Sequence, residues 1–590
     1  METIKTDAHL LNKMFKGILI TNAISIVAGI ACVMIDGIVT GQFLGPDAVA
    51  ASGLLQPVVM LINLIGGLLG GVGVMCTRYM GKAQRDRVDQ VYSIVMIAAT
   101  IYAVLSAVLV YALAPWLGSA LGAKTGSSEI VSMITDYLRG FAPGTFFMRY
   151  TILLSSIMIL DNDKKRSMMA MGATLIADVT FDLANVLIFH GGMFGMATAT
   201  SLSYVAGFIV IMTHYLRKDR VIHFTTKGLK ARDLADVILR GIPNGINMGC
   251  QALRLLCFNA LLLTIADKTA VAGLSIANNA FSIMFALVLG MFVSASIMSS
   301  LMYSEEDRRG LEHSITEAVK LTVIIFVVLG VLIAIFPRPV AMLFVNKSAI
   351  GAVDQGAAFI RFWAIQFTFM AISFPISGSY QGTGRLKQSY FIDIMREGVL
   401  PIACVTGLGK AFGIHGAEAG FALAGIITFV IVILVPFIAN RRFPTAPKDF
   451  LILDDDFGAK SGELYEATMH SINDVIAVSE EVRQFCTERG AGNTHANMLA
   501  LFIEEMACNT IEHGYAAGKK ASVDLRFVYH DGSGVIRLRD DGRPFDPLRW
   551  LEKNSGDDPA SGLGIRVVTG LARSVNYMAS MEMNNLVITL

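Results

Sequence analysis

Residues 172–201 read GATLIADVTFDLANVLIFHGGMFGMATATS, an apolar stretch long enough to cross a membrane that nevertheless carries two carboxylates. Asp178 and Asp182 are four residues apart, so a helix places both on one face. An isolated Asp at the centre of a bilayer costs roughly 2.5–3.5 kcal/mol on insertion scales. Two such groups therefore require a cation, a proton or a water-filled cavity. Asp36, inside the first apolar segment, is a third acid of this kind. We predict that the three form an ion or proton site around which the chain moves a solute.

The composition places most of the chain in lipid. Of its 590 residues, 54% are hydrophobic and 16% are charged, whereas soluble domains carry about 25% charged residues. The net charge of +1 gives no reason to expect a nucleic-acid partner. Apolar runs of spanning length recur twelve times, near 15–40, 48–76, 91–117, 130–158, 167–190, 194–216, 237–264, 270–300, 315–336, 351–380, 391–409 and 413–439.

The loops between these runs carry Lys and Arg unevenly. With the N-terminus inside, about 23 Lys and Arg residues lie on the inner side and about five on the outer side. This asymmetry predicts a multi-pass protein of the bacterial plasma membrane with both termini in the cytoplasm.

An internal repeat divides the membrane part. The sequence FGMATA at 194–199 recurs in character as FGIHGA at 412–417, each time opening the last span of a six-span half. The repeat predicts two six-helix halves, residues 1–225 and 226–445, related by a pseudo-two-fold axis along the membrane normal. A solute cavity is then expected between them.

Residues 446–590 form a different kind of segment, because charged and polar residues return and no run could span a membrane. The patterns predict strands at 450–455, 522–529, 534–540 and 585–590 and helices at 475–490, 494–514 and 563–575. This is an α+β domain of ordinary size.

Motifs of the membrane part resemble a known family of transporters. MIDGIVTGQFLG at 34–45 with AVAA at 48–51, GIP at 241–243 and YQGTGR at 380–385 are similar to motifs of the multidrug and toxic compound extrusion (MATE) proteins. The resemblance covers roughly residues 12–440. It implies a MATE-like bundle of twelve helices and export of small amphipathic organic compounds by antiport against Na⁺ or H⁺.

Some members of that family hold the coupling cation or proton in the N-terminal half. The resemblance assigns this role to four residues here: Asp36, Asp178, Asp182 and Thr200. Position 178 departs from the family, where Asn is more usual, and a further carboxylate favours a proton because like charges at close range raise a pKa. The acids that other members carry in spans seven and ten are missing. The alternative for the three acids is a structural pairing with Arg139, Arg149 or Arg254.

Three motifs of the C-terminal domain resemble the N, G1 and G2 boxes of the gyrase/Hsp90/histidine-kinase (GHKL) ATP-binding fold. They are EEMACNTIEHGY at 504–515, DDGRPFDP at 540–547 and SGLGI at 561–565, and they look most like those of the anti-sigma-factor serine kinases. An Asn side-chain oxygen suits Mg²⁺, a Glu one turn earlier suits a general base, and glycines at a helix start let N–H groups approach phosphates. The resemblance assigns Mg²⁺ binding to Asn509, the base to Glu505, the adenine contact to Asp540 and further ATP contacts to Gly542, Gly562 and Gly564.

The function expected from these features is an ion- or proton-coupled multidrug antiporter with a cytoplasmic ATP-binding domain. That domain is regulatory or kinase-like, so a protein substrate with a Ser or Thr acceptor is one expected partner, and whether ATP is hydrolysed or used for phosphotransfer stays open. Two alternatives remain, a membrane-bound serine/threonine kinase or sensor with a transporter-like module and a flippase for lipid-linked sugars. An ATP-driven pump is disfavoured because no Gly-x-x-x-x-Gly-Lys-Ser/Thr loop occurs.

Overall fold

The structure of the protein is a computed structural model. It describes residues 10, 13, 19 and 33–590 apart from 74, 77–84, 123–126, 162, 218–221, 347–348, 455–456, 461, 517, 519, 555–561 and 581–582. Much of the predicted first span, and the segment before Gly562, therefore lie outside the described residues. The contacts divide the chain into two compact units. One comprises Ala23–Ser296 with Glu317–Phe450, and the other Met1–Asn22, Ile297–Thr316 and Leu451–Leu590.

Helices account for nearly all of the described residues up to position 440. In chain order they are α1 (Val33–Leu44), α2 (Pro46–Leu69), α3 (Arg85–Gly122), α4 (Ser128–Leu160), α5 (Lys164–Ala184), α6 (Gly192–Met212), α7 (Ala231–Ile265), α8 (Lys268–Ser304), α9 (Arg308–Ile335), α10 (Ile350–Met370) with its continuation Ser373–Gly382, α11 (Leu386–Ile394) and α12 (Leu400–Asn440). Short helical turns also occur at Thr213–Leu216 and Pro337–Ala341.

The lengths and apolar character of these helices confirm a polytopic membrane protein. Among the described residues, eight helices are long and apolar enough to cross a membrane, and nine if the bent pair that makes up α10 is one span. The run from Leu386 to Asn440 contains two helices, because Gly413 leaves the helical region at φ 66°, ψ −149°. This break falls where the predicted eleventh and twelfth spans meet. Large apolar side chains such as Ile101, Val108 and Ile324 are exposed on α3 and α9, as expected for helices that face lipid.

The C-terminal domain is a five-stranded antiparallel sheet with helices packed on one face. Its elements are β1 (Leu464–Met469), α13 (Ile472–Glu488), α14 (Asn493–His513), β2 (Val523–His530), β3 (Ser533–Asp540), α15 (Pro547–Lys553), α16 (Leu563–Leu571), β4 (Ser574–Ser580) and β5 (Met583–Thr589). The strand order is β1-β2-β3-β5-β4. Alternate residues of β2 and β3, among them Phe527 and Leu538, are buried in one core with Leu499 and Phe502 of α14. The predicted α+β class is confirmed.

The turn between β2 and β3 follows the sequence closely. Asp531 and Gly532 both have positive φ, 47° and 79°, and His530 pairs with Ser533. An Asp-Gly pair is the usual choice for such a two-residue hairpin, since its backbone twist matches that of the strands.

One predicted strand is wrong. Residues 447–450 form a short 3₁₀ helix and 451–454 belong to no ladder. The backbone carbonyl of Phe450 instead accepts a hydrogen bond from the Tyr380 hydroxyl at 2.6 Å. The first strand of the sheet is β1, which lies further along the chain. The boundaries proposed at 225 and 445 stay predictions.

Candidate functional site

Three carboxyl groups from two helices meet in the interior of the helical unit. Asp36 lies on α1, and Asp178 and Asp182 lie on α5. One oxygen from each carboxyl group lies within 4.8 Å of the other two. Asp178 is 2% exposed and Asp182 is fully buried. The fold thus brings together the three acids that the sequence singled out, although α1 and α5 are far apart along the chain.

The hydrogen bonding of this acid cluster is incomplete within the part of the chain that the structure describes. Both carboxylate oxygens of Asp182 and Oδ1 of Asp36 are buried there and accept no hydrogen bond. Leaving a buried polar group without a partner costs roughly 1–3 kcal/mol, and more for a charged one. Buried charges in proteins are paired or coordinate metals. The three carboxyl groups are therefore suited to sharing protons or to binding a small cation.

The arginines proposed as alternative partners of these acids have other contacts. Arg149 donates at 2.7 Å to the backbone oxygen of Ile62 and at 2.7 Å to the side chain of Asn63. Arg254 donates to Glu397 at 2.9 Å, and Arg139 is exposed. The structural pairing considered from the sequence is not observed among the described residues.

A π-helical turn follows the acid on each of the two helices. Thr40–Leu44 ends α1, and Asn185–Phe189 continues α5. Such wide turns are often found at functional sites. The second turn is held by Asn185, whose side chain accepts from the backbone of Gly191 at 3.1 Å and donates to that of Gly192 at 3.2 Å. A Cβ at Gly195 would lie 1.8 Å from the oxygen of Asn185, which explains the glycine in the first copy of the Phe-Gly motif.

A cavity of about 320 Å³ opens beside the acid cluster, and Asp36 and Thr200 both line it. The Thr200 hydroxyl donates to the backbone oxygen of Met196 at 3.2 Å. Thr200 is therefore a residue of the cavity wall, and its part in ion binding stays a prediction. The remainder of the lining is largely aromatic and sulfur-containing, with polar groups at intervals. It includes Met60, Tyr137, Phe141, Met148, Tyr204, Phe281, Phe285, Trp363, Phe367, Met370 and Phe421.

The sequence analysis missed a second group of charges at this cavity. Glu397 binds Arg254 at 2.9 Å and Arg396 at 3.0 Å, and Arg396 also binds Asp393 at 2.9 Å. Arg254 and Glu397 line the cavity. A third π-helical turn, Met395–Val399, carries Arg396 and Glu397. The signal was present in the sequence, because Asp393, Arg396 and Glu397 are charges within an apolar run.

In the C-terminal domain, the N and G2 motifs meet where α16 begins. Glu505 and Asn509 lie one turn apart on α14 and are half-buried, whereas His513 is exposed. A Cβ at Gly564 would lie 1.9 Å from Oε2 of Glu505, so this position has no room for a larger residue unless Glu505 moves. Gly562 precedes α16 with φ 63°, in the left-handed region that favours glycine.

The G1 motif is ordered by residues of the last two strands. Oδ1 of Asp540, at the end of β3, accepts hydrogen bonds at 2.8 Å from the backbone of Gly542 and from the side chain of Asn584. Tyr577 donates to Asn584 at 2.7 Å. Burial raises the pKa of Tyr577, which keeps this hydroxyl a donor. Asn584 and Tyr577 were missed, since nothing in their local sequence marks them.

These groups fit a nucleotide. Asp540 is a buried carboxylate with a fixed orientation, and Gly562 and Gly564 stand at a helix start where backbone N–H groups are unpaired. Asn509 supplies an oxygen of the type that Mg²⁺ prefers. Asp541, beside Asp540, forms an ion pair with Lys13.

The sequence profile of the MatE family matches residues 23–184 and matches again at residues 243–404. The chain belongs to the MatE family. The two matches confirm the predicted duplication and the resemblance to multidrug and toxic compound extrusion proteins. A second profile, the histidine kinase-like ATPase domain, matches residues 470–590, which confirms the class expected for the C-terminal domain.

Relatives of this MatE protein are distant but cover most of its membrane part. The multidrug export protein MepA of Staphylococcus aureus (strain MRSA252) is 20% identical over 420 residues, which are 69% of this chain and 90% of MepA. The probable multidrug resistance protein NorM of Thermotoga maritima is 25% identical over 308 residues, 51% of this chain and 65% of NorM. A solved inward-facing structure of a multidrug resistance MATE family transporter shares 22% identity with a TM-score of 0.64, covering 70% of this chain and 95% of that one. At this identity the likeness shows the fold alone.

Proposed function

We propose that the protein is a proton- or sodium-coupled antiporter that exports amphipathic organic compounds from a bacterial cell, with a cytoplasmic ATP-binding regulatory domain. The observation that carries the proposal is the acid cluster of Asp36, Asp178 and Asp182, whose first member also lines the central cavity. A coupling site must be near the solute yet shielded from bulk water, and this cluster meets both conditions.

The charge of the acid cluster supports proton coupling over sodium coupling. Two like unit charges no more than 4.8 Å apart repel by at least about 3.5 kcal/mol at an effective dielectric constant of about 20. Three carboxylates would therefore not all stay ionised, and a single Na⁺ would leave a net charge of −2. Protons can neutralise the acids one at a time. Loss of those protons on the inner side then returns the cluster to the ionised state that can bind the next solute or proton.

The cavity supports an amphipathic solute. Its wall combines aromatic rings and methionines with polar groups at intervals, which suits ligands that bury apolar surface and orient through a few hydrogen bonds. The carboxylate of Asp36 favours a solute with a basic group. Competition between a proton and such a solute for the ionised cluster would couple the two movements in opposite directions.

The test is gradient-driven efflux of a cationic dye from proteoliposomes that contain the full chain. We expect Asp182→Asn to reduce the rate at least tenfold under a pH gradient, because the cluster loses an exchangeable proton. Asp136→Asn is the matched control, since Asp136 lies on α4 outside the cluster and accepts a hydrogen bond from Ser132. Wild-type rates under a sodium gradient at constant pH distinguish Na⁺ from H⁺.

Equal rates for Asp182→Asn and Asp136→Asn would contradict antiport at this cluster. A different result would favour the membrane-bound kinase or sensor. In that case the wild type shows no dye efflux, and Asn509→Ala is the only variant with a cellular phenotype. No efflux of dye but translocation of a lipid-linked sugar would point to a flippase.

A further inference from the structure

Helices α8 and α9 are joined by an acidic three-residue hairpin. The hairpin, Glu305–Asp307, has the sequence Glu-Glu-Asp between Ser304, which ends α8, and Arg308, which begins α9. The loop between α4 and α5 has the same pattern, since Asp161 and Asp163 precede the basic residues that begin α5. Acidic residues have little influence on membrane orientation, so topology does not account for them.

The hairpin contacts the face of the C-terminal sheet that is opposite to helices α13 and α14. Glu305 accepts from Arg539 at 2.6 Å and from Arg537 at 3.2 Å, and its other oxygen accepts from Asn585 at 3.2 Å. Asp307 binds Arg526 at 2.9 Å. All of these residues belong to one compact unit of the chain.

The side chains that receive the hairpin form rows across the sheet. Arg526 of β2 is the register partner of Arg537 of β3 and also of Glu466 of β1, and Arg526 binds Glu466 at 2.7 Å. Arg309, directly after the start of α9, binds Glu466 from the other side at 2.9 Å. Tyr303 stacks on Phe457 with ring centroids 4.7 Å apart, which fixes the end of α8.

The charged side chains of this contact are largely buried. The side chain of Glu305 is 5% exposed, and those of Arg539 and Arg537 are 8% and 14% exposed. Burial lowers the pKa of Arg537, although Glu305 opposes the shift. Alternating Arg residues on a strand would ordinarily face water. Here the hairpin covers them, and each side leaves buried charges without partners if the other is removed.

Two of the strands that contact the hairpin, β3 and β5, carry residues of the nucleotide site on their other face. Successive residues of a strand point to opposite faces. Arg539 and Asn585 are register partners and both bind Glu305, while the next pair, Asp540 and Asn584, are hydrogen-bonded to each other at the G1 motif. A shift of Asp540 on nucleotide binding would therefore displace the residues that hold the hairpin.

We propose that the hairpin Glu305–Asp307 is the partner of the ATPase domain within its own chain, and that the docked face of the sheet transmits nucleotide binding to α8 and α9. The proposal rests on the proposed function only in taking Asp540 as part of a nucleotide site. The hairpin is continuous with α8 and α9. A displacement of the hairpin therefore moves the ends of these two membrane helices directly.

The first arm of the test uses hydrogen–deuterium exchange on the full chain in lipid nanodiscs without nucleotide. We expect Glu305→Arg to raise the exchange rates of amides in 303–311 and 535–540 at least tenfold, because three cations then meet at one place. The double variant Glu305→Arg/Arg539→Glu should recover at least half of that change on a logarithmic scale. Glu312→Arg is the matched control, since the contact of Glu312 is with Arg308 on its own helix. Exchange in Glu305→Arg equal to that in the control overturns the docking.

The second arm adds a non-hydrolysable ATP analogue with Mg²⁺. We expect the analogue to change exchange in 303–311 at least twofold in the wild type and to leave it unchanged in Glu305→Arg, with analogue affinity retained within threefold. Bound analogue without any change in 303–311 of the wild type overturns the transmission. Absence of analogue binding refutes the nucleotide site itself, while the first arm still decides the docking.

Discussion

Single side chains at both sites are constrained by close contact rather than by their own chemistry. Glu505 is held against α16 only because position 564 has no side chain. Asp540 is oriented by Asn584, which a residue pattern could not have identified. In the helical unit, Glu397 balances two arginines at once. The contacts of Glu505 and Glu397 each give a prediction that depends on the neighbour as much as on the residue itself.

Gly564→Ala should weaken nucleotide binding at least tenfold. The added Cβ would meet Oε2 of Glu505 at 1.9 Å, so either Glu505 or the start of α16 must move. Gly570→Ala on the same helix is the control, since its Cβ meets nothing within 4 Å. Titration of the full chain with a fluorescent ATP analogue measures both variants. Equal affinities would show that the approach of Glu505 to α16 has no role in binding.

Glu397→Gln should destabilise the helical unit. Breaking a buried ion pair by removing one partner typically costs about 3–5 kcal/mol, because a charge is left without compensation, and Glu397 serves both Arg254 and Arg396. Glu317→Gln is the control, as its partner Lys320 is largely exposed and such surface pairs contribute about 0–1 kcal/mol. Thermal unfolding in detergent should show a clear fall in the midpoint for Glu397→Gln alone. A midpoint as high as that of Glu317→Gln would mean that the pair contributes no net stability.

The regular α-helical geometry of the membrane part is interrupted near charged residues and at one glycine. Three π-helical turns carry or follow charged residues on α1, α5 and the segment after α11. The break in α12 occurs at Gly413, whose φ of 66° and ψ of −149° fall in a region that is essentially restricted to glycine. That break separates the last two spans of the second repeat.

Gly413→Ala should therefore lower stability by about 1–3 kcal/mol, the usual cost of a non-glycine residue in a disfavoured backbone region. Gly407→Ala provides the comparison within α12. Its Cβ would meet nothing within 4 Å, and alanine is the better helix former by about 1 kcal/mol, so this variant should be neutral or more stable. The midpoints of thermal unfolding in detergent check both. A Gly413→Ala protein as stable as the Gly407→Ala protein would show that the break does not need glycine.

The chain joins a MatE transporter to a histidine kinase-like ATPase domain. This raises the question of how the ATPase domain affects transport. The C-terminal domain forms a compact unit that also includes residues 297–316. A nucleotide signal would thus reach α8 and α9 through bonded neighbours.

Asn509→Ala should leave gradient-driven efflux measurable while removing its response to Mg-ATP. The ion site proposed for transport lies among Asp36, Asp178 and Asp182, whereas Asn509 is on α14 of the ATPase domain. Asn493→Ala, at the exposed start of α14, is the control. Dye efflux is measured with and without Mg-ATP on the side of the membrane that carries the ATPase domain. Complete loss of efflux in Asn509→Ala alone would mean that nucleotide is required for transport and does not merely regulate it.

The sequence by itself determined the membrane class, the duplication, the ATPase domain and the acids to be examined, because apolar run length, period and local motifs are properties of neighbouring residues. The hairpin of β2 and β3 was equally local, since Asp531 and Gly532 suffice for its turn. Only the tertiary structure decided that Asp36 of α1 meets Asp178 and Asp182 of α5, that Glu397 rather than an acid of the cluster binds Arg254, and that Glu305 covers Arg539. These contacts depend on the packing of elements distant in the chain. Whether a charged residue faces water, lipid or an opposite charge is settled by that packing and not by the residues beside it.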